Sequence, residues 1–198
     1  KILNEMNNPN IGGISIKGLF VLALANFESM FGDLMRKLVS FFPQKISMLP
    51  GYDVQVASGK FITLEEQIDL RVNKLLYDNL KKIILKLSSL FAIEDWVTND
   101  EISKLSEIKE TRNLLLHNNL VSNSIYIEKA GEYRRTDELR KKLEIDLDYA
   151  VSSISLIHSV IQRLREEICA KYDKFTFVEL IRRLWKVTFP SSVSIDRH

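Results

Sequence analysis

Apolar residues recurring at helical spacing constrain this chain more than any other feature. Leu19, Phe20, Ala23, Phe27, Met30, Phe31, Leu34 and Leu38 repeat every three or four residues until Pro43 breaks the pattern, and such a repeat gives a helix an apolar stripe that must be buried against other elements. The pattern predicts a first helix from about Ile16 to Phe42, preceded by an Asn-Pro-Asn-Ile-Gly-Gly loop. From Pro43 to Phe61 it lapses, with Pro50-Gly51 and Ser58-Gly59 as turn signals, which reads as a long connecting loop.

The stripe resumes after Thr63, where Glu66 stands three residues on and completes the signature of a capping box. Ile68, Val72, Leu75, Leu76, Ile83, Leu87 and Leu90 then predict one second helix from about 63 to 90. A third helix is expected from Glu101 to about Asn118, capped by Asp100 and stopped at Asn118-Asn119, because asparagine tolerates the left-handed conformation. Ile125-Tyr126-Ile127 reads as a short extended arm. Leu147, Ala150, Val151, Ile154, Ile157, Ile161, Leu164 and Ile168 predict a fourth helix from Leu143 to about Lys171, and a short fifth runs from Phe175 to Trp185. The expected fold is all-α, an up-and-down bundle of four main helices plus a short C-terminal one, forming a single domain over residues 1–198.

Composition narrows the function classes. With 198 residues, 45% hydrophobic and 27% charged, the chain has the make-up of an ordinary soluble domain. A net charge of +2 is too small for bulk attraction to nucleic acid, so any RNA contact rests on local clusters such as Arg134, Arg135, Arg140, Lys141 and Lys142. The single cysteine, Cys169, excludes an internal disulfide framework and offers no thiolate cluster for zinc. The uncharged apolar run from Gly18 to Phe27 is about half of the ~20 residues a membrane span needs, and no secretory pattern opens the chain. A cytoplasmic protein without metal or cofactor is the expectation. The chain starts at Lys1 and stops after Asp196-Arg197-His198, which suggests a piece of a longer protein.

Chemistry concentrates at Arg112-Asn113-Leu114-Leu115-Leu116-His117 near the end of the third helix. Histidine exchanges protons near neutrality, and arginine offers a planar donor fork matched to phosphate oxygens; together they suffice for acid-base cleavage of a phosphodiester without metal. Asn113 and His117 lie one above the other, whereas Arg112 and His117 are about 140° apart and about 7.5 Å along the axis. They converge only through the reach of Arg112 or across an interface. Arg112 occupies an apolar position in the stripe Leu105, Ile108, Arg112, Leu115, and Glu28 interrupts the first helix between Leu24, Phe31 and Met35. Two opposite charges that each break an apolar stripe predict an ion pair.

The run Arg-Asn-Leu-Leu-Leu-His-Asn-Asn resembles the motif of the HEPN superfamily, all-α domains that include metal-independent ribonucleases of toxin-antitoxin, abortive-infection and other defence systems. The resemblance covers most of the chain: an arginine, a polar residue after it, and a histidine four to six residues beyond it match Arg112, Asn113 and His117, and Glu28 is similar to a first-helix acidic residue of many members. It implies a homodimer whose two motif helices face each other across one composite cleft. His117 would then act as general base or acid on the ribose 2′-hydroxyl or the 5′-leaving oxygen, Arg112 would stabilise charge on the phosphorane, Asn113 would orient His117 or a phosphate oxygen, and Glu28 would fix Arg112. The implied products are a 2′,3′-cyclic phosphate and a 5′-hydroxyl, with an antitoxin or regulatory domain outside this chain as a further partner. Some toxin members carry a tyrosine two residues past the histidine that their antitoxin modifies; this chain has Asn119 there.

Structural readings stand beside these. His117 at a helix C-terminus also gains from the helix dipole, and Arg112 with Glu28 also serves as a purely structural pair. His158, beside the Ile154/Ile161 stripe, reads as a packed histidine, and His198 falls in a tail. Trp96, Tyr126, Tyr133 and Trp185 offer stacking surface for bases, with core burial as the alternative. A non-catalytic helical module for dimerisation or partner docking is the competing function.

Overall fold

In the computed structural model, residues 9–51 and 62–172 are described, and their regular elements are helical apart from one antiparallel bridge between Val121 and Lys142. The helices are α1 (Pro9–Phe41), α2 (Leu64–Leu76), α3 (Leu80–Phe91), α4 (Asn99–Asn118), α5 (Ser124–Lys129) and α6 (Leu147–Tyr172), with 3-10 turns at Pro43–Met48 and Gly131–Tyr133. The all-α expectation holds. The anticipated short helix at 175–185 lies outside the described residues.

Several boundaries differ from those read in the sequence, each for a local reason. The segment expected as a loop at Pro9–Gly13 is the start of α1, where proline is tolerated because a first-turn N–H has no helical partner anyway. The single helix expected over 63–90 is two. Tyr77-Asp78-Asn79 interrupts it, and Asn79, in extended backbone, accepts from Lys82 N at 2.9 Å to start α3. Apolar residues continue at helical spacing on both sides of this break, so periodicity alone conceals it. Among the described residues the main helices, those of 12 residues or more, therefore number five rather than four.

The cap of α4 is Thr98 instead of Asp100: its hydroxyl accepts from Glu101 N at 3.2 Å while the Glu101 carboxylate accepts from Thr98 N at 2.9 Å. Ile125-Tyr126-Ile127 is helical rather than extended, because Asn123 caps the segment by accepting from Tyr126 N at 2.8 Å. Leu143 and Ile145 are buried but precede α6, which begins where Asp146 Oδ1 accepts from Tyr149 N at 2.8 Å.

Helix α1 packs against α2, α3, α4 and α6, and its core side chains Phe20, Leu24, Phe27, Phe31 and Met35 are almost wholly buried. Gly32 permits the close approach of α2, since a Cβ there would meet Leu76 Cδ1 at 2.9 Å. Arg36 then ties the pair, donating to Asp69 at 2.7 Å and Asn73 at 2.6 Å. By length and composition residues 15–41 of α1 would also pass for a membrane span, with 33% of the most apolar window buried; the packing just described accounts for Phe20, Leu24, Phe27, Phe31 and Met35, while Leu19 and Leu22 are exposed. Helix α4 runs antiparallel to α1, since Glu28 meets Lys109 and Arg112 while Phe31 meets Trp96. It is antiparallel to α6 as well, with Tyr149 at Glu107 and Arg163 at Glu101.

Candidate active site

The site is built on α4. Asp100 and Glu101 in its first turn oppose the positive helix end, His117 sits in its last turn, and Asn119 terminates it in the left-handed conformation at φ 47°. Lys109, Arg112, Asn113, Leu116 and His117 fall within an arc of about 140°, and each is half-buried or exposed. Glu107, Glu110, Thr111 and Leu114 are buried on the other side.

Glu28 joins two cations on this arc. Its Oε2 accepts from Arg112 Nη2 and its Oε1 lies 3.1 Å from Lys109 Nζ. One carboxylate between two cations leaves a local charge of +1. The three side chains are 14–23% exposed, so the cluster is partly desolvated yet reachable. Arg112 Nε is buried with no hydrogen-bond partner among the described residues, leaving a guanidinium that is held in place but not fully used. Lys109 escaped the sequence reading, although its position three residues before Arg112 puts it on the same helix face.

His117 is exposed and makes no hydrogen bond or ion pair with the described residues. Asn113 Nδ2 donates to Glu110 Oε2 at 3.2 Å, so within one chain it is engaged away from His117. The structure thus brings Glu28 and Arg112 together, adds Lys109, and leaves His117 further along the helix beside the exposed Leu116.

A second polar cluster lies on the buried side of α4. The Glu107 carboxylate, 4% exposed, accepts from Thr111 Oγ1 at 2.6 Å, Tyr126 OH at 3.0 Å, Tyr149 OH at 2.8 Å and Arg135 Nε at 3.2 Å. Arg135 also donates to Thr111 and to the Glu144 carbonyl, and stacks over the Tyr149 ring at 4.0 Å. Burial, reinforced by the negative charge of Glu107, pushes the phenols of Tyr149 and Tyr126 up; both remain neutral donors. Every participant is used internally, so Arg135 leaves the basic run that composition offered for RNA. Arg134 is engaged by Asp137 and the Gly131 carbonyl.

The remaining candidates separate clearly. Trp96 and Tyr126 are buried, Trp96 donating to Ser88 at 2.7 Å, and Tyr133 donates to Asp100 under Lys104. His158 is exposed beside Gln162 rather than packed; Trp185 and His198 lie outside the described residues. Among the described residues no group of three or more His, Cys, Asp or Glu is placed to hold a metal ion. An open depression of about 360 Å³ along Asn26, Ser29, Met30, Asp33 and Lys37 opens on the face of α1 opposite Glu28, remote from the Arg112 arc. No family model matches the chain, and no curated protein or solved structure matches it significantly.

Proposed function

We propose that the chain is a metal-independent endoribonuclease, HEPN-like in its up-and-down helical bundle and acting as a cytoplasmic defence or toxin effector. The observation that carries the reading is the exposed arc of α4: His117 unengaged at the helix end, and Arg112, still 17% exposed, fixed by Glu28. His117 takes the proton of a ribose 2′-hydroxyl, the 2′-oxygen attacks the adjacent phosphorus, and the 5′-oxygen leaves after protonation, giving a 2′,3′-cyclic phosphate and a 5′-hydroxyl. Arg112 and Lys109 stabilise the charge on the phosphorane oxygens. A homodimer through α4 brings a second imidazole to the leaving oxygen and unites an arginine and a histidine that one helix holds about 140° apart.

The test is incubation of the purified chain with total RNA in EDTA, beside a His117→Ala variant of verified fold. EDTA-resistant cutting with cyclic-phosphate ends, lost in the variant, supports the proposal. Absence of cutting by the dimer overturns it for this chain and favours the second reading, a non-catalytic interaction module. That reading draws on the exposure of Leu116 beside His117 and on the engagement of Arg112 with Glu28.

A further inference from the structure

The segment that follows α4 returns to it at Arg140-Lys141-Lys142. Ser122 N donates to the Lys141 carbonyl at 2.8 Å, Arg140 N to the Ser122 carbonyl at 3.0 Å, and Leu143 N to the Leu120 carbonyl at 2.8 Å. The buried Ser122 hydroxyl accepts from Lys141 N at 2.8 Å and donates to the Glu138 carbonyl at 2.6 Å. These bonds fix three consecutive cations against residues 120–122. Lys142 Nζ donates to the carbonyl of Asn119, two residues past His117, and two residues of chain span at most about 7 Å.

The three side chains are exposed, and they are not equally engaged. Lys141 meets only the exposed Glu138, at 3.6 Å. The Arg140 guanidinium has no hydrogen bond or ion pair among the described residues, and the residue adopts φ 63°, a left-handed conformation that suits glycine and strains a long side chain. At a turn whose backbone is pinned on both sides, this solvent-facing arginine presents an unspent guanidinium. Arg135, the neighbouring arginine in sequence, is by contrast consumed by Glu107.

We infer that Arg140, Lys141 and Lys142 form a backbone-phosphate binding site for single-stranded RNA, which leads the strand to His117. The assignment deepens the ribonuclease reading and rests on it for the identity of the strand. The residues contact phosphates flanking the cleaved bond and take no part in proton transfer. They set affinity and its salt dependence, with little preference for base sequence.

Anisotropy with a fluorescein-labelled 2′-O-methyl oligouridylate tests it, because this probe has the phosphate backbone and lacks the attacking hydroxyl. The unmodified chain should bind, and the variant Arg140→Gln/Lys141→Gln/Lys142→Gln should bind with the slope of log K against log salt reduced by up to about 2, at about 0.7 per phosphate contact on a single strand. Arg140→Gly removes one cation and relieves the backbone; it should retain or raise the melting temperature while binding about five-fold more weakly at 0.1 M salt, the effect of one such contact over a decade of salt. Lys37→Gln, an exposed cation on α1, should leave binding unchanged. Unaltered affinity and slope in the folded triple variant, or no binding by the unmodified chain, would overturn the inference. Cleavage of unmodified RNA is read separately: cutting with patch-independent binding sinks the phosphate site alone, and patch-dependent binding without cutting sinks only the ribonuclease.

Discussion

Helix α4 carries two glutamate-arginine clusters on opposite sides, and their contrast separates structure from chemistry. Around Glu107 the carboxylate is almost inaccessible, receives four donors, and its arginine spends the guanidinium on three acceptors and an aromatic ring. Around Glu28 the carboxylate serves two cations, the side chains keep some contact with solvent, and Arg112 retains an unpaired Nε–H. A closed network has no donor left for a ligand, so the Glu107 cluster is an anchor that docks α5 and α6 onto α4. An open one keeps a net positive charge on a fixed guanidinium and ammonium that solvent still reaches, which is what a phosphate requires.

The sharpest break of this comparison is at Glu107. Glu107→Ala leaves Arg135 partly buried without its carboxylate and strips two phenols of their acceptor, so urea unfolding should show a loss of about 3–5 kcal/mol. Glu28→Ala removes a carboxylate that is 23% exposed, against 5% for Glu107, and that serves two cations rather than four donors, so it should cost visibly less. Equal losses at the two sites would erase the distinction between anchor and site.

His117→Ala reverses the pattern. An exposed residue without partners changes stability by less than about 0.5 kcal/mol, while on the proposed ribonuclease reading the loss of this acid-base group should lower the cleavage rate by about 10²–10⁴-fold. A large loss of stability with little loss of rate would reassign His117 to the structural side.

Glu28→Gln lies between these extremes. The amide keeps the shape but gives up the charge that holds Lys109 and Arg112, and a hydrogen bond to a charged group contributes about 1.5–3 kcal/mol. RNA cleavage should fall along with stability, because Arg112 loses its orientation; Lys109→Met should also lower cleavage if its ammonium acts on phosphate. A Glu28→Gln variant as active as the parent would make the pair purely structural.

These contrasts were unequally legible in the sequence. The capping box at Thr63 and Glu66 is local and was readable, whereas the same pattern at Thr98 and Glu101 was masked by the neighbouring Asp100. Glu28 and Arg112 are 84 residues apart, yet each interrupts an apolar stripe, and two such interruptions of opposite charge point to each other. Glu107 left no such trace. Its partners stand 19, 28 and 42 residues away, on a segment whose path depends on an asparagine cap and two left-handed residues, Asn119 and Leu120. Arg135 looked like one more surface cation because a run of like charges says nothing about which member folds inward.

The smallest expected effect tests whether the start of α4 supports the site from a distance. Thr98→Ala removes the cap hydroxyl and should cost about 1 kcal/mol. Burial raises the carboxyl pKa of Glu101, but the Thr98 N–H, the Thr98 hydroxyl and Arg163 together outweigh it and hold the group below its ordinary value of 4.5. A carboxyl lowered in the folded state binds fewer protons there than in the unfolded chain, so its contribution is complete above about pH 5 and lost as pH falls through and below 4.5. Glu101→Gln should therefore flatten part of the acid limb of the stability curve and leave cleavage near neutrality almost unchanged. If cleavage falls in step with stability, the frame of α4 and its exposed arc are coupled, and the division between anchor and site gives way to a single cooperative helix.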